Sequence, residues 1–198
     1  MKKLLFLFSL ALIVVSCKPK VEVQRVDTNT VADVSGRWND VDAQMVSKEM
    51  VNQMFEAGWL NKFKADNGRD PVLIVGRVQN KTAEHINTDV FTKEIEKVCI
   101  NSGLVEFVAS SSERDEIRQE RIEQQSNASM ETTKQIGNET GADFMLKGVI
   151  SSIEDAVDGQ KVVYYQTNME LVNIESNKKV WVGDKKIKKF VSRGKWKP

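Results

Sequence analysis

Residues 161–175 read KVVYYQTNMELVNIE, and the period of this stretch decides the fold class. Val163, Tyr165, Thr167, Met169 and Leu171 fall on every second position. Successive strand side chains point to opposite faces, so this alternation predicts a strand with one face on a core and one in water. Asp158-Gly159 ahead of it is a hairpin signal, and Ser176-Asn177 behind it marks a second turn. The neighbouring runs are ADFMLKGVISSIE (142–154), which reads as a buried strand, and KKVWVGDKKIKKFVSR (178–193). Together the three runs predict an antiparallel meander.

Upstream, the period changes. PVLIVGRVQN (71–80) is a dense β-branched run that reads as a strand buried on both faces. In INTDVFTKEIEKVCINSG (86–103), Phe91, Ile95 and Val98 share a helical face and Gly103 supplies the stop. LVEFVAS (104–110) reads as a second strand. Strand, helix, strand predicts a βαβ crossover with parallel strands. Before it, Ala43, Val46, Met50, Met54 and Ala57 recur at spacings of three and four, with Asn39 or Asp40 as cap and Gly58 as end. After it, residues 110–141 form a long polar helical stretch, with a break near Ser126-Asn127. Ser110 and Glu113 make a capping box, and Ile117 and Ile122 are the only apolar residues between Glu113 and Gln125. The predicted fold is α+β, an α/β sandwich. It has a mixed sheet with one βαβ crossover, a C-terminal antiparallel meander and flanking helices.

The first residues set the compartment. Leu4 to Val15 is apolar except for Ser9, and Lys2 and Lys3 precede it. A membrane-spanning helix needs about 20 apolar residues, so this shorter run reads as a secretory signal peptide. Val14-Val15-Ser16-Cys17 resembles a bacterial lipobox, which implies cleavage before Cys17 and acylation of that cysteine. Several acyl chains, palmitate among them, hold a protein on a membrane where one would not. The predicted organisation is a signal peptide over 1–16, a lipidated cysteine and flexible tether over 17–33, and one globular domain over 34–198. Removing residues 1–16 leaves 182 of the 198 residues, and loss of Lys2 and Lys3 takes the formal charge from +1 to −1.

Composition narrows the chemistry. A near-neutral chain is not a generic nucleic-acid binder. With Cys17 lipidated, Cys99 has no intramolecular partner and reads as a small buried apolar residue. The single histidine, His85, lies in the polar stretch NKTAEHINTD (80–89) and removes metal sites built from several histidines. Neither a phosphate-binding glycine loop nor a G-x-S-x-G elbow occurs. Lys178 to Pro198 holds nine Lys or Arg against one acid, Asp184. This reads either as a patch for an anionic or acidic partner or as edge-strand lysines that block aggregation.

Four strings taken together resemble the LpoB-type penicillin-binding-protein activators. They are SGRWNDVDAQMVSKEM (35–50), PVLIVGRVQNKTAEHINTDVFTKEIEK (71–97), GADFMLKGVISSIED (141–155) and LVNIESNKKVWVGDKKIKK (171–189). The resemblance implies a fold like the TolB N-terminal domain and an outer-membrane lipoprotein on the periplasmic face. It implies a monomer that binds and activates a class A penicillin-binding protein. It carries no catalytic residue, cofactor or metal ligand, and of this chain's residues only Cys17 receives a role, as the lipid site. The related curli-secretion lipoproteins supply the alternative, a structural lipoprotein of a secretion assembly.

Overall fold

The computed structural model describes residues 23–27, 30–33 and 35–192. Contacts divide the chain into residues 1–30 and 31–198. In the first unit the described backbone is irregular, and the Thr30 N–H donates to the Asp27 carbonyl at 3.0 Å. The predicted signal peptide and Cys17 lie outside the described residues.

The second unit opens with α1 (Asp40–Glu56). Its start is a capping box: the Asp42 N–H donates to the Asn39 side chain at 3.0 Å, and the Asn39 N–H donates to the Asp42 carboxylate at 2.9 Å. Ala43, Val46, Met50, Val51 and Met54 are all buried, as their spacing requires. α1 ends just ahead of Gly58, as predicted, but Gly58 is not a left-handed stop. It adopts right-handed helical angles (φ −65°, ψ −9°) and leads into a second helix, α2 (Trp59–Asn67), which the sequence reading did not contain. The left-handed glycine is Gly68 (φ 66°), after α2.

β1 (Val72–Lys81) is buried on both faces only from Val72 to Val75. Its register with β3 shifts between Val75 and Val78, and past this bulge only Val78 stays buried. α3 (Thr88–Ser102) buries Phe91, Ile95 and Cys99 and ends on left-handed Gly103. The predicted strand 104–110 is reduced to β2 (Glu106–Phe107). The reason is local: the Glu113 carboxylate accepts the Ser110 N–H and hydroxyl, both at 2.8 Å, and turns the backbone into α4 (Ser111–Asn127). α4 ends at Asn127, where the break was expected.

The meander is β3 (Phe144–Val157), β4 (Gln160–Asn173) and β5 (Lys179–Ser192). The sheet order is β2-β1-β3-β4-β5, with β1 parallel to both neighbours and the last three strands antiparallel. β3 is not a fully buried run. Phe144, Leu146 and Ile150 are buried, whereas Ile153 and Val157 are exposed.

The core lies between one face of the sheet and helices α1, α2 and α3. From α1 come Met50 and Met54, from α3 Phe91 and Ile95, and from the sheet Leu73, Leu146, Ile150, Met169 and Leu171. Burying each such side chain stabilises by roughly 1.5–3 kcal/mol. Trp59 and Phe63 of α2 meet Phe144 edge to face, at 5.1 and 5.3 Å between ring centroids. Nothing on α4 is buried.

Candidate functional site

Two places on the domain stand out: a polar clamp where the chain enters the fold, and the face of the sheet opposite the helices.

The clamp gathers residues far apart in sequence. Lys189 of β5 is buried, and its ammonium donates to Asp42 at 2.6 Å, Asp33 at 2.6 Å and the Arg37 carbonyl at 3.0 Å. Burial alone disfavours that charge, but the hydrogen bonds to Asp33 and Asp42 outweigh it and raise the Lys189 pKa. The same bond holds Asp33 below the usual carboxylate range. Beside the clamp, Glu84 receives the Tyr165 hydroxyl at 2.5 Å and the Trp38 N–H at 3.0 Å. Burial first, and the Glu84 carboxylate second, push the Tyr165 pKa up, so the hydroxyl stays a donor. Trp38 meets Phe91 and Tyr165 edge to face, which makes it a lid on the core. Gly36 is required beneath it: its φ is +69°, and a Cβ there would lie 2.1 Å from Val191 Cγ2.

The basic C-terminal strand was predicted to be either a binding patch or a solvated edge. It divides. Odd positions face the helices, and Lys189 among them is a structural cation. Even positions, Val182, Asp184, Lys186, Lys188 and Phe190, face outward.

That outward face is laid out in register across β3, β4 and β5. Lys147 pairs with Glu170, Val149 with Asn168 and then Asp184, and Ser151 with Gln166 and then Lys186. Glu170 is bridged to Lys147 at 3.1 Å and also to Lys179. In each of the next two rows two apolar residues stand beside one charge: Ile153–Tyr164–Lys188, then Asp155–Val162–Phe190. Ile153 is 69% exposed and Phe190 64%. No described helix covers these rows. At the start of α4, Ser110 to Arg114 flank a groove with Ile74 and Met145.

The remaining polar and aromatic residues of note either pack in the fold or lie at its surface. Cys99 is fully buried, and burial pushes its thiol up to about 12. His85 is exposed. Trp59 is buried and donates its indole N–H to the Met54 carbonyl at 2.7 Å. Ile122 is half exposed and lines a hollow of about 420 Å³ with Ile136, beside Arg118 and Glu139. Among the described residues no group of three or more His, Cys, Asp or Glu gathers to hold a metal, and no helix is long and apolar enough to cross a membrane.

The sequence model of the family described as "Peptidoglycan-synthase activator LpoB" matches residues 42–187, from the first turn of α1 to the last third of β5. The chain belongs to the LpoB family. No curated protein matches it. Among solved structures, the LpoB C-terminal domain from Salmonella enterica is 18% identical, with a TM-score of 0.41 over 77% of this chain and 99% of that one. The same domain from Escherichia coli gives the same values. The lipoprotein GNA1162 from Neisseria meningitidis is 11% identical, with a TM-score of 0.40 over 64% of this chain and 88% of that one. The assignment to LpoB rests on the family match and not on these superpositions. As a member of an LpoB family of synthase activators, the chain is placed with regulators of peptidoglycan synthesis.

Proposed function

We propose that this LpoB-family chain is an outer-membrane lipoprotein of the periplasmic face that binds a class A penicillin-binding protein and activates its peptidoglycan synthesis. Residues 1–16 are the signal peptide, Cys17 is acylated, 17–33 form the tether and 34–198 the activating domain. The domain acts as a monomer and without chemistry of its own. The observation that carries this reading is the family match over residues 42–187. The apolar run ending at Cys17 supports the anchor.

The physical requirement is modest. An activator works by binding one conformation of the synthase better than another, and the shift is limited by that difference. About 1.4 kcal/mol gives a tenfold shift. A few well-placed contacts on a rigid domain suffice.

The test uses the soluble chain beginning at Lys18 and the purified class A synthase of the same cell. The expected result is binding, together with faster polymerisation of the lipid-linked precursor. A folded chain that neither binds at micromolar concentration nor changes the rate refutes the activator role. Mass spectrometry of the mature full-length protein checks the anchor separately, and an unmodified Cys17 refutes it.

A further inference from the structure

The two apolar rows on the open face of the meander have no role in the fold. Ile153, Tyr164, Val162 and Phe190 lie side by side across three strands, and Val157 extends them toward the hairpin tip. Exposed single apolar residues are ordinary, whereas contiguous ones rimmed by polar groups mark interaction sites. Aromatic side chains are the type enriched in the cores of interfaces. On the helices the exposed apolar residues of comparable size are scattered, Met45 on α1, Ile100 on α3, and Ile117 and Ile122 on α4, where Ile122 already has Ile136 for a neighbour.

The charges around the rows identify the kind of partner. Lys188 sits beside Tyr164, and among the described residues it makes no ion pair. Arg77 and Lys81, which line a shallow hollow on the same face with Lys147 and Glu170, are likewise unpaired. Among the outward-facing residues of β3, β4 and β5, Asp155 is the one carboxylate that makes no ion pair, since Glu170 and Asp184 are bridged to lysines. Unpaired cations therefore outnumber unpaired acids. A second copy laid face to face would bring the unpaired Lys188, Arg77 and Lys81 of both molecules into one interface, against like charge. A partner with acidic residues around an apolar hollow meets no such penalty.

We propose that the rows Ile153–Tyr164–Lys188 and Val162–Phe190 are the surface on which this chain docks its synthase, and that the matching synthase surface is apolar with a rim of Asp or Glu. This rests on the activator reading above. Association is expected to slow as salt rises, because the lysines steer it.

The experiment compares the wild-type soluble chain with Tyr164→Ala, Phe190→Ala, Lys188→Glu and the control Ile122→Ala, against the immobilised class A synthase. Melting temperatures confirm that each variant is folded. Tyr164→Ala and Phe190→Ala are expected to weaken binding at least tenfold, with stimulation recovered at higher concentration. Lys188→Glu is expected to lower the association rate and flatten its salt dependence, and Ile122→Ala to bind as wild type. Hydroxyl-radical footprinting of the wild-type complex supplies a second readout and should protect Tyr164 and Phe190. If the wild type binds and stimulates while the three face variants stay within twofold of it, or the two rings are not protected, the docking surface is wrong although the activator role stands. If the wild type itself fails to bind, the activator role has failed first, and this surface with it. A wild-type dimer that Phe190→Ala dissociates would assign the face to a second copy and overturn the proposal.

Discussion

α1 and α4 are two helices of 17 residues, each started by a polar N-cap residue paired with an acid three positions on. α1 buries seven residues and α4 none. Capping decided where each helix begins; the apolar stripe alone decided whether it joined the core. α1 presents Val46, Met50 and Met54 to the sheet and is held at its start by Lys189. α4 presents arginines and glutamates, and its ties are Lys93 to Glu113 at 2.5 Å and Arg118 to Glu139 at 2.8 Å. The first helix is fixed by the global fold, whereas the second can open without it.

The largest test of that contrast removes the clamp. Lys189→Ala leaves Asp42 buried without its cation, and the loss expected from chemical denaturation is at the lower end of about 3–5 kcal/mol, since Asp33 can turn to water. Next, Met54→Ala on α1 should cost about 2–5 kcal/mol, whereas Ile122→Ala on α4 should stay within about 0.5 kcal/mol. Equal losses in the same melts would erase the distinction. A smaller effect comes from the caps. Ser110→Ala should lower amide protection across α4 by about 0.5–2 kcal/mol in hydrogen exchange while leaving α1 unchanged. The smallest is a response to acid. The Lys93 bond, aided by the Ser110 N–H and hydroxyl, holds the Glu113 carboxyl near 2. A depressed carboxylate stabilises above its unfolded value of about 4.3 and loses that contribution as pH falls toward 2. Amides of α4 should therefore lose protection between pH 5 and 2 before those of α1, as followed by NMR.

Much of this architecture was legible. Period two in residues 161–175, the stripe from Ala43 to Met54 and the pair Ser110–Glu113 are local signals, and each formed what it predicted. Three features were not legible, for physical reasons. Lys189 sits in the run KKIKK, and its burial depends on Asp33 and Asp42, more than a hundred residues away. The apolar residues of α2, Trp59, Leu60 and Phe63, span little more than one turn, and Gly58 as a helix stop is indistinguishable in sequence from Gly58 as a bend between helices. The open face was hidden because alternation reveals two faces without saying which one a helix will cover. Val162 and Tyr164 stand in KVVYYQ among apolar neighbours, and only the register with Phe190 and Ile153 brings them into one patch.

The clamp also has a mechanical side. Within the domain, Asp33 is gripped by one ammonium on β5. If that end is pulled, the ammonium grip gives way ahead of the long β4–β5 ladder, and the segment up to Arg37 straightens toward an extended length of at most roughly 17 Å, at ~3.3–3.6 Å per residue, while Trp38 keeps the core shut. Such a leash lengthens under load without unfolding what it holds. Single-molecule pulling should record a short extension before the main rupture, and a trace with one rupture only would dismiss it.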